Sequence, residues 1–192
     1  MTGAEDFAHF INKIYDAYDR YIKNTIYDAM VGYANNLTGM WKKTGTLTVE
    51  NLRELCDLIS TAMGMPVMIM GTRTAISKIN DLTNVDYFSS TMKDELHQTG
   101  VLAVWEGIDL VTIPQVFERN QVGTYKLDND ILWIMPQTEE RWIKLVNEGD
   151  MQVHQVADKD TNRDGTSEYE IQTKIGVGIL LNGCFGVYKI TA

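Results

Sequence analysis

The segment from Asp158 to Glu168 contains the residue types that could bind a metal ion, since it is rich in carboxylate and amide side chains. Counted from Asp160, such oxygens fall at positions one, three and five and a glycine falls at position six, as at the start of a calcium-binding loop. The twelfth position, however, is Ile171 and not a glutamate, and the flanking segments have the alternating pattern of strands. A polar hairpin tip needs the same residue types for its turn, so we favour that interpretation over a calcium site.

A second candidate is the turn from Gly71 to Thr74, which follows a short apolar run and precedes a helical pattern. Backbone N–H groups at such a helix start could hold a phosphate group, with Arg73 assisting. The segment lacks the spacing of a phosphate-binding loop, because no second glycine is followed by Lys-Ser or Lys-Thr. A helix cap formed by Thr72 or Thr74 explains the same residues, so a nucleotide site is the less favoured interpretation.

The other reactive side chains form no recognisable catalytic or metal-binding pattern. His9, His97 and His154 lack ligand spacing, and Cys56 lies far from Cys184 in the sequence. The sequence contains no serine nucleophile elbow and no dinucleotide-binding glycine motif. We therefore predict no catalytic, cofactor-binding or metal-binding residues and no cofactor. Both cysteines are expected to be buried free thiols, as in a protein of a reducing cytoplasm.

Length, composition and charge narrow the class of protein. A chain of 192 residues can bury one core, and 44% hydrophobic with 22% charged residues is the composition of a globular domain. The formal net charge of −9 argues against tight binding to a phosphate backbone, which requires a basic face. The sequence shows neither a signal peptide pattern nor an apolar run long enough to span a bilayer.

The most regular local pattern is that of a long amphipathic helix over residues 4–37. Its apolar residues recur at steps of three and four without an intervening proline. These residues are Phe7, Ile11, Ile14, Tyr18, Tyr21, Ile22, Ile26, Met30, Tyr33 and Leu37. Such a helix would be about 45–50 Å long. Two interpretations remain open, a helix that lies across a sheet and a spine for the assembly of several copies.

The remaining pattern predicts helices first and strands later. A loop over residues 38–47 precedes a helix over Val49–Met63 with Thr48 as its N-cap. A short strand is predicted over residues 67–70, then a helix after Thr74, and another helix around residues 92–97. Strands are predicted over residues 101–117, 129–136, 142–148, 151–156, 168–174 and 175–190. This order predicts an α+β fold with a mostly antiparallel sheet.

Several segments, in this order, resemble the major capsid proteins of tailed bacteriophages, whose fold is shared with encapsulins. The matching segments are residues 66–79, 105–117, 127–136, 144–149, 168–176 and 185–190. Their order carries the resemblance, because no single segment is diagnostic. Members of that family normally have an N-terminal arm and an extended two-stranded loop before the spine helix. This chain starts almost at the helix, so it is expected to be a truncated product, a fragment or a divergent member.

The resemblance implies a phage capsid-type α+β subunit with a peripheral and an axial domain. Residues 1–45 would supply the spine helix and the following loop of the peripheral domain. Residues 46–100 would form a helix–strand–helix part of the axial domain, and residues 101–192 would supply strands to both domains.

The resemblance also implies a structural role and no enzymatic activity. The subunit would self-assemble into hexamers and pentamers of an icosahedral virion capsid from a phage or prophage, formed in the cytoplasm of a bacterial host. Its partners would be other capsid subunits and scaffold or decoration proteins, with DNA held only by enclosure and no membrane involved. The alternative is a small cytoplasmic enzyme or ligand-binding module that uses the turn from Gly71 to Thr74 or the loop from Asp158 to Glu168.

Overall fold

The computed structural model describes residues 7–82, 89–118, 123–138, 143–149, 152–156, 168–179 and 185–191. Its helices are α1 (Phe7–Asn36), α2 (Val49–Met63), α3 (Arg73–Asn80) and α4 (Ser90–Thr99), and a 3₁₀ turn spans Gly39–Trp41. Its strands are β1 (Lys42–Gly45), β2 (Val67–Thr72), β3 (Val104–Trp105), β4 (Ile108–Ile113), β5 (Ile131–Pro136), β6 (Ile143–Asn147), β7 (Gln152–Val156), β8 (Glu168–Gln172), β9 (Ile175–Ile179) and β10 (Gly186–Ile190). This mixture confirms the predicted α+β class. No helix within these ranges is long and apolar enough to cross a membrane.

Helix α2 begins and ends at the predicted residues because both of its ends are capped. The Thr48 hydroxyl accepts a hydrogen bond from the backbone N–H of Asn51 at 3.3 Å. Gly64 ends the helix with a φ of 67°, a left-handed conformation that glycine adopts without steric cost. The buried face of the helix consists of Leu52, Leu55, Cys56 and Ile59. Local sequence signals and tertiary packing therefore agree at this helix.

Helix α1 confirms the predicted long helix over the residues that the structure describes. It contains 30 residues, which corresponds to a length of about 45 Å. The Lys42 ammonium donates a hydrogen bond to the carbonyl of Ala34 at 3.1 Å. This bond satisfies one carbonyl of the last turn and places a positive charge at the negative end of the helix dipole.

The main sheet contains six strands in the described part of the chain, in the order β1-β10-β5-β2-β4-β3. The pairs β1–β10 and β2–β4 are parallel, and the other neighbours are antiparallel. Strand β5 lies between β10 and β2 and is buried at every residue. Pro136 ends this strand as predicted, at a position where the missing N–H interrupts little of the ladder.

The two faces of the main sheet are covered by different elements. One face packs against α2 and α3 and forms the main core, which includes Leu55, Ile59, Ile69, Ile76, Leu132, Ile134 and Tyr188. On the opposite face, the ring centroid of Trp133 lies 5.9 Å from that of Phe185. The Phe185 ring in turn lies 4.9 Å from the ring of Tyr33 on α1. The last turns of α1 therefore cover this part of the opposite face.

The chain divides into two compact units, each discontinuous in sequence. Unit 1 comprises Met1–Ala29 and Ile143–Leu180, and unit 2 comprises Met30–Trp142 and Leu181–Ala192. Unit 2 holds the main sheet with α2, α3 and α4. Unit 1 holds most of α1 and two antiparallel ladders, β6–β9 and β7–β8. Within unit 1, the Tyr18 hydroxyl lies 3.4 Å from the Thr173 hydroxyl.

The structure corrects the loop predicted over residues 38–47 and the bounds of two predicted strands. Residues 42–45 form β1, because β10 offers them a parallel partner from far along the chain. The strand predicted over residues 67–70 continues through Gly71 to Thr72, so no separate turn precedes α3. Residues 175–190 are not one strand, since β9 pairs with β6 whereas β10 belongs to the main sheet.

The strand predicted over residues 101–117 was expected to break at Gly107 and to stop at Pro114, and both bounds are confirmed. The prediction of one strand is wrong, because β3 and β4 form a hairpin. Glu106 and Gly107 make its two-residue turn with φ values of 49° and 82°. Positive φ at both residues is typical of the tight turn that suits the twist of a hairpin. Arg53 on α2 donates two hydrogen bonds to the Glu106 carboxylate, at 2.7 and 3.0 Å. Glu106 makes this ion pair from a positive-φ conformation that non-glycine residues seldom adopt.

Candidate functional site

The predicted turn from Gly71 to Thr74 borders an open cleft of about 370 Å³ in unit 2. The cleft lies where the parallel strands β2 and β4 end, since Thr72 is in register with Ile113. Its lining includes Thr72, Arg73, Thr74, Gln115, Tyr125 and Asn129. The carboxyl end of a parallel strand pair is a common place for a ligand, so each of these side chains must be accounted for.

The two residues that end β2 have partners inside the fold. The Thr72 side chain, which is buried, accepts a hydrogen bond from the backbone N–H of Ala75 at 3.3 Å and so caps α3. A Cβ atom at Gly71 would lie 3.2 Å from a Leu132 methyl group and 3.3 Å from the carbonyl oxygen of Ile131. The threonine therefore serves as a helix cap, and the glycine allows β5 and α3 to approach closely.

Arg73 is directed to the end of another helix. A methyl group at Gly100 would overlap the Arg73 guanidinium, so the guanidinium rests against that glycine. Gly100 is the C-cap of α4 and has a φ of 77°. A positive charge at a helix C-terminus is favoured by the helix dipole. Packing and capping thus explain Gly71, Thr72 and Arg73, three of the four residues that suggested a phosphate site.

The acidic segment from Asp158 to Glu168 lies outside the described residues, apart from the backbone of its last residue. Its flanks are the antiparallel strands β7 and β8, in which Val156 pairs with Glu168. These flanks agree with the predicted hairpin and differ from the two helices that flank a calcium loop of the EF-hand type. Elsewhere, across the residues that the structure describes, no group of three or more His, Cys, Asp or Glu could hold a metal ion.

The three histidines lie in three different elements of the fold. His9 on α1 and His97 on α4 are both exposed. His154 lies in β7, and its side chain is outside the described set.

Cys56 confirms the prediction of a buried free thiol, whereas Cys184 lies outside the described residues. The Cys56 side chain is buried on α2 within the main core. Burial, followed by the nearby carboxylates of Asp57 and Glu106, raises the pKa of the Cys56 thiol to about 12. Because the thiolate is the reactive form, this thiol is poorly suited to nucleophilic chemistry.

We expect Cys56 to resist a chromogenic disulfide reagent at pH 8 in the folded protein and to react readily in denaturant. Folding raises the pKa of this thiol from 9.0 to about 12. The buried neutral thiol therefore makes its full contribution to the free energy of unfolding below pH 9, and this contribution is lost as the pH rises toward 12. The Cys56→Ala variant identifies which of the two cysteines reacts. Rapid labelling of Cys56 in the folded protein would contradict this assignment.

Sequence reasoning did not anticipate a pair of exposed aromatic side chains at the rim of the cleft. Phe117 and Tyr125 face each other across a β-bridge, with ring centroids 5.4 Å apart and ring planes inclined by 12°. Their exposed fractions are 52% and 54%. The sequence does contain a signal for this pair, because Phe117 and Tyr125 flank a polar interval that contains Gly123. The contact between the two rings depends on the β-bridge, which the sequence does not show.

The side chain of Gln115 lies at the base of the two paired segments that carry these rings, residues 116–118 and 123–126. Its amide nitrogen donates to the Leu127 carbonyl at 2.8 Å and to the Asn129 side chain at 2.9 Å. Its amide oxygen accepts from the backbone N–H groups of Val116 at 3.0 Å and Leu127 at 3.1 Å. The polar groups of Gln115 are therefore engaged in the fold, which leaves the aromatic pair as the exposed feature of this rim.

Comparison with known proteins identifies the family to which this chain belongs. A family model described as "SPbeta prophage-derived putative capsid protein YonB" matches residues 1–189. The chain belongs to the YonB family. This membership confirms the resemblance to phage capsid proteins that the order of the sequence segments indicated. A search of curated proteins finds no match.

A solved structure supports the same fold for this member of the YonB family. The chain is similar to the SrpI encapsulin of Synechococcus elongatus PCC 7942, with a TM-score of 0.57 and 13% sequence identity. The similarity covers 98% of this chain and 66% of the encapsulin chain. It shows a capsid-type fold. Packing and capping explain Gly71, Thr72 and Arg73 at the cleft. The exposed surfaces of this YonB family member remain to be explained.

Proposed function

We propose that the protein is a structural, shell-forming subunit without catalytic activity. The family match over residues 1–189 carries this proposal, and the capsid-type fold supports it. Copies of the chain would form hexamers and pentamers that close into an icosahedral phage or prophage capsid around DNA. Assembly would take place in the bacterial host, with other capsid subunits and scaffold or decoration proteins as partners.

The charge of the chain supports enclosure of DNA without tight binding. A shell that gripped the phosphate backbone would need a basic inner face, whereas this chain carries a formal net charge of −9. Packaged DNA would then be confined by the wall rather than bound to it. The acidic subunits also repel one another at low ionic strength, so salt should favour their association.

We further propose that α1 is the spine helix of the peripheral domain. Unit 1 contains most of this helix and the β6–β9 and β7–β8 ladders, which agrees with a peripheral role. Residues 46–100 lie entirely within unit 2, which would correspond to the axial domain. The exposed Phe117 and Tyr125 pair belongs to unit 2 and would contact a neighbouring subunit, since half-exposed stacked aromatic rings are typical of interface anchors.

The test is electron microscopy of the purified protein in negative stain, across a range of protein and salt concentrations, beside light scattering on a sizing column. We expect rings with five- or six-fold symmetry, sheets or closed shells, and an increase in mean mass with salt concentration. A protein that stays monomeric under every condition, and also in the presence of co-expressed proteins from its own operon, would contradict the proposal.

A further inference from the structure

The main sheet of unit 2 has one edge that its own strands cover only in part. Strand β3 contributes two residues, which pair with the first two residues of β4. The last hydrogen bond along this edge runs from the N–H of Leu110 to the carbonyl of Ala103 at 2.7 Å. In the described part of the chain, no strand or bridge continues the pairing beside residues 111–113. The second half of β4 therefore has an open edge.

The backbone geometry of β4 identifies the groups that face this open edge. The N–H and C=O groups of one residue point to the same edge of a strand, and neighbouring residues alternate between the two edges. Since Leu110 directs its N–H to Ala103, Thr112 directs its N–H and C=O to the same edge. Pro114 follows the strand and has no N–H to donate. Thr112 thus offers one donor and one acceptor to an additional strand.

The side chains beside the open edge are suited to a neighbouring strand. Val111 is 36% exposed, and Thr112, whose side chain points to the opposite face, is also exposed. Both residues are β-branched, and such residues form favourable cross-strand pairs. Natural edge strands are often protected from pairing by lysine, proline or a bulge. Here Pro114 limits the length of an added ladder, but Val111 and Thr112 leave its first part unprotected.

The open edge leads directly into the cleft of about 370 Å³. Thr112 and Ile113 belong to β4 and also line the cleft, to which Tyr125 adds an aromatic wall. A segment that pairs with β4 could therefore place a side chain in the cleft. Binding by strand addition uses both features, because main-chain hydrogen bonds provide affinity and an adjoining pocket provides specificity.

The charge of the cleft indicates which side chain it would accept. Among the described residues that line it, Arg73 is the only charged one. Arg73 is exposed, and no carboxylate within the described ranges forms an ion pair with it. Its contact with Gly100 positions the guanidinium without neutralising its charge. A carboxylate from another molecule would supply the missing partner, in the paired geometry that arginine favours.

We propose that an extended segment of a different protein adds a strand to the open edge of β4 and places an acidic side chain beside Arg73. The backbone of the segment pairs with Thr112, and one of its β-branched side chains packs against Val111. A free phosphate could meet the guanidinium but would leave the strand edge uncovered. The inference goes beyond the proposed shell function and does not depend on assembly, because the whole site lies in unit 2 of one chain.

The test begins with the selection of binders from a displayed library of random peptides of about ten residues, which is enough for one strand. We expect the selected sequences to share an acidic residue near β-branched ones. A selected peptide is then synthesised with a fluorescent label, and its Kd is measured by fluorescence anisotropy. Since a charge pair contributes, the affinity should fall as the salt concentration rises.

Two pairs of variants test the backbone contact and the charge contact separately. Thr112→Pro removes the outward N–H, and edge strands tolerate proline at such a position, so we expect at least tenfold weaker binding and a similar melting temperature. Its matched control, Thr112→Val, keeps the N–H and should bind like the wild type. Arg73→Gln should weaken binding at least fivefold. Lys93→Gln removes an exposed positive charge from α4 and should leave binding unchanged.

N-methylation of the peptide tests the same hydrogen bonds in the wild-type protein, so the outcome does not depend on the folding of Thr112→Pro. Methylation of one alternate set of amides should abolish binding, whereas methylation of the other set should not, because only one set faces β4. A library without binders, or a peptide that is indifferent to both methylated sets or to Arg73→Gln, would overturn the inference. The shell function would still stand in that case, since electron microscopy of the assembly tests it separately.

Discussion

Replacement of Trp133 by alanine is expected to lower the free energy of unfolding by about 3–5 kcal/mol, the range for loss of a large buried aromatic side chain. Trp133 is 2% exposed and lies in β5, near the middle of the main sheet. Its ring and the ring of Phe185 form the aromatic contact that leads to Tyr33 on α1. The substitution therefore opens a cavity at the point where the last turns of α1 meet the sheet.

Urea unfolding followed by far-ultraviolet circular dichroism measures this effect without relying on tryptophan fluorescence. The matched control is Tyr125→Ala, which removes an aromatic ring that is 54% exposed and should cost less than about 1 kcal/mol. Equal losses of stability in the two variants would contradict the assignment of Trp133 to the core.

A valine at Gly186 is expected to destabilise the protein by about 2–3 kcal/mol through overpacking. The first added carbon would overlap the terminal methyl group of Ile59 and lie 3.2 Å from a methyl group of Leu55. The side chains of Leu55 and Ile59 are fully buried on α2, so they have little room to move. Strand β10 would have to shift away from the helix, and its pairing with β1 and β5 would be disturbed.

Thermal and urea unfolding of Gly186→Val and Gly186→Ala measure this cost, and the alanine variant should lie between the valine variant and the wild type. A suitable comparison is Gly178→Val, because a side chain there enters open space and should not destabilise the isolated subunit. Stability of Gly186→Val close to that of the wild type would show that α2 packs less closely on β10 than the structure indicates.

Elements with strong local signals were predictable from the sequence. Helix α2 has the cap residues Thr48 and Gly64 at the ends of a regular apolar pattern, so its bounds follow from short-range chemistry. Strand β5 is a continuous apolar run, as expected for a strand with cover on both faces. The length and amphipathic pattern of α1 were likewise visible without any tertiary information.

Elements that depend on distant partners were not predictable. The residues of β1 are Lys-Lys-Thr-Gly, of which only threonine favours strands, and they become a strand because β10 pairs with them. The turn at Glu106 lacks the usual asparagine or aspartate at its first position, and its ion pair with Arg53 joins residues that lie far apart in the sequence.

The candidate phosphate site shows the same limitation. Its glycine and threonine residues suggested a ligand, but the closeness of Leu132 to Gly71 is a tertiary fact that a local motif does not contain. The glycines of β9 show the reverse case. Their pattern is plain in the sequence, yet only the structure shows that a side chain at Gly176 or Gly178 would enter open space.

The pairing of β1 with β10 also sets the time at which a subunit becomes complete. Lys42 is in register with Val187, so β1 can pair only after the ribosome has synthesised β10, near the end of the chain. At a synthesis rate of about 5–20 residues per second, the wait is on the order of ten seconds. Until β10 is made, β1 has no partner in the main sheet, and β5, once it has been made, lacks one of its two neighbours. A nascent chain therefore cannot offer a finished sheet to its neighbours, which keeps incomplete subunits out of any assembly that needs this sheet.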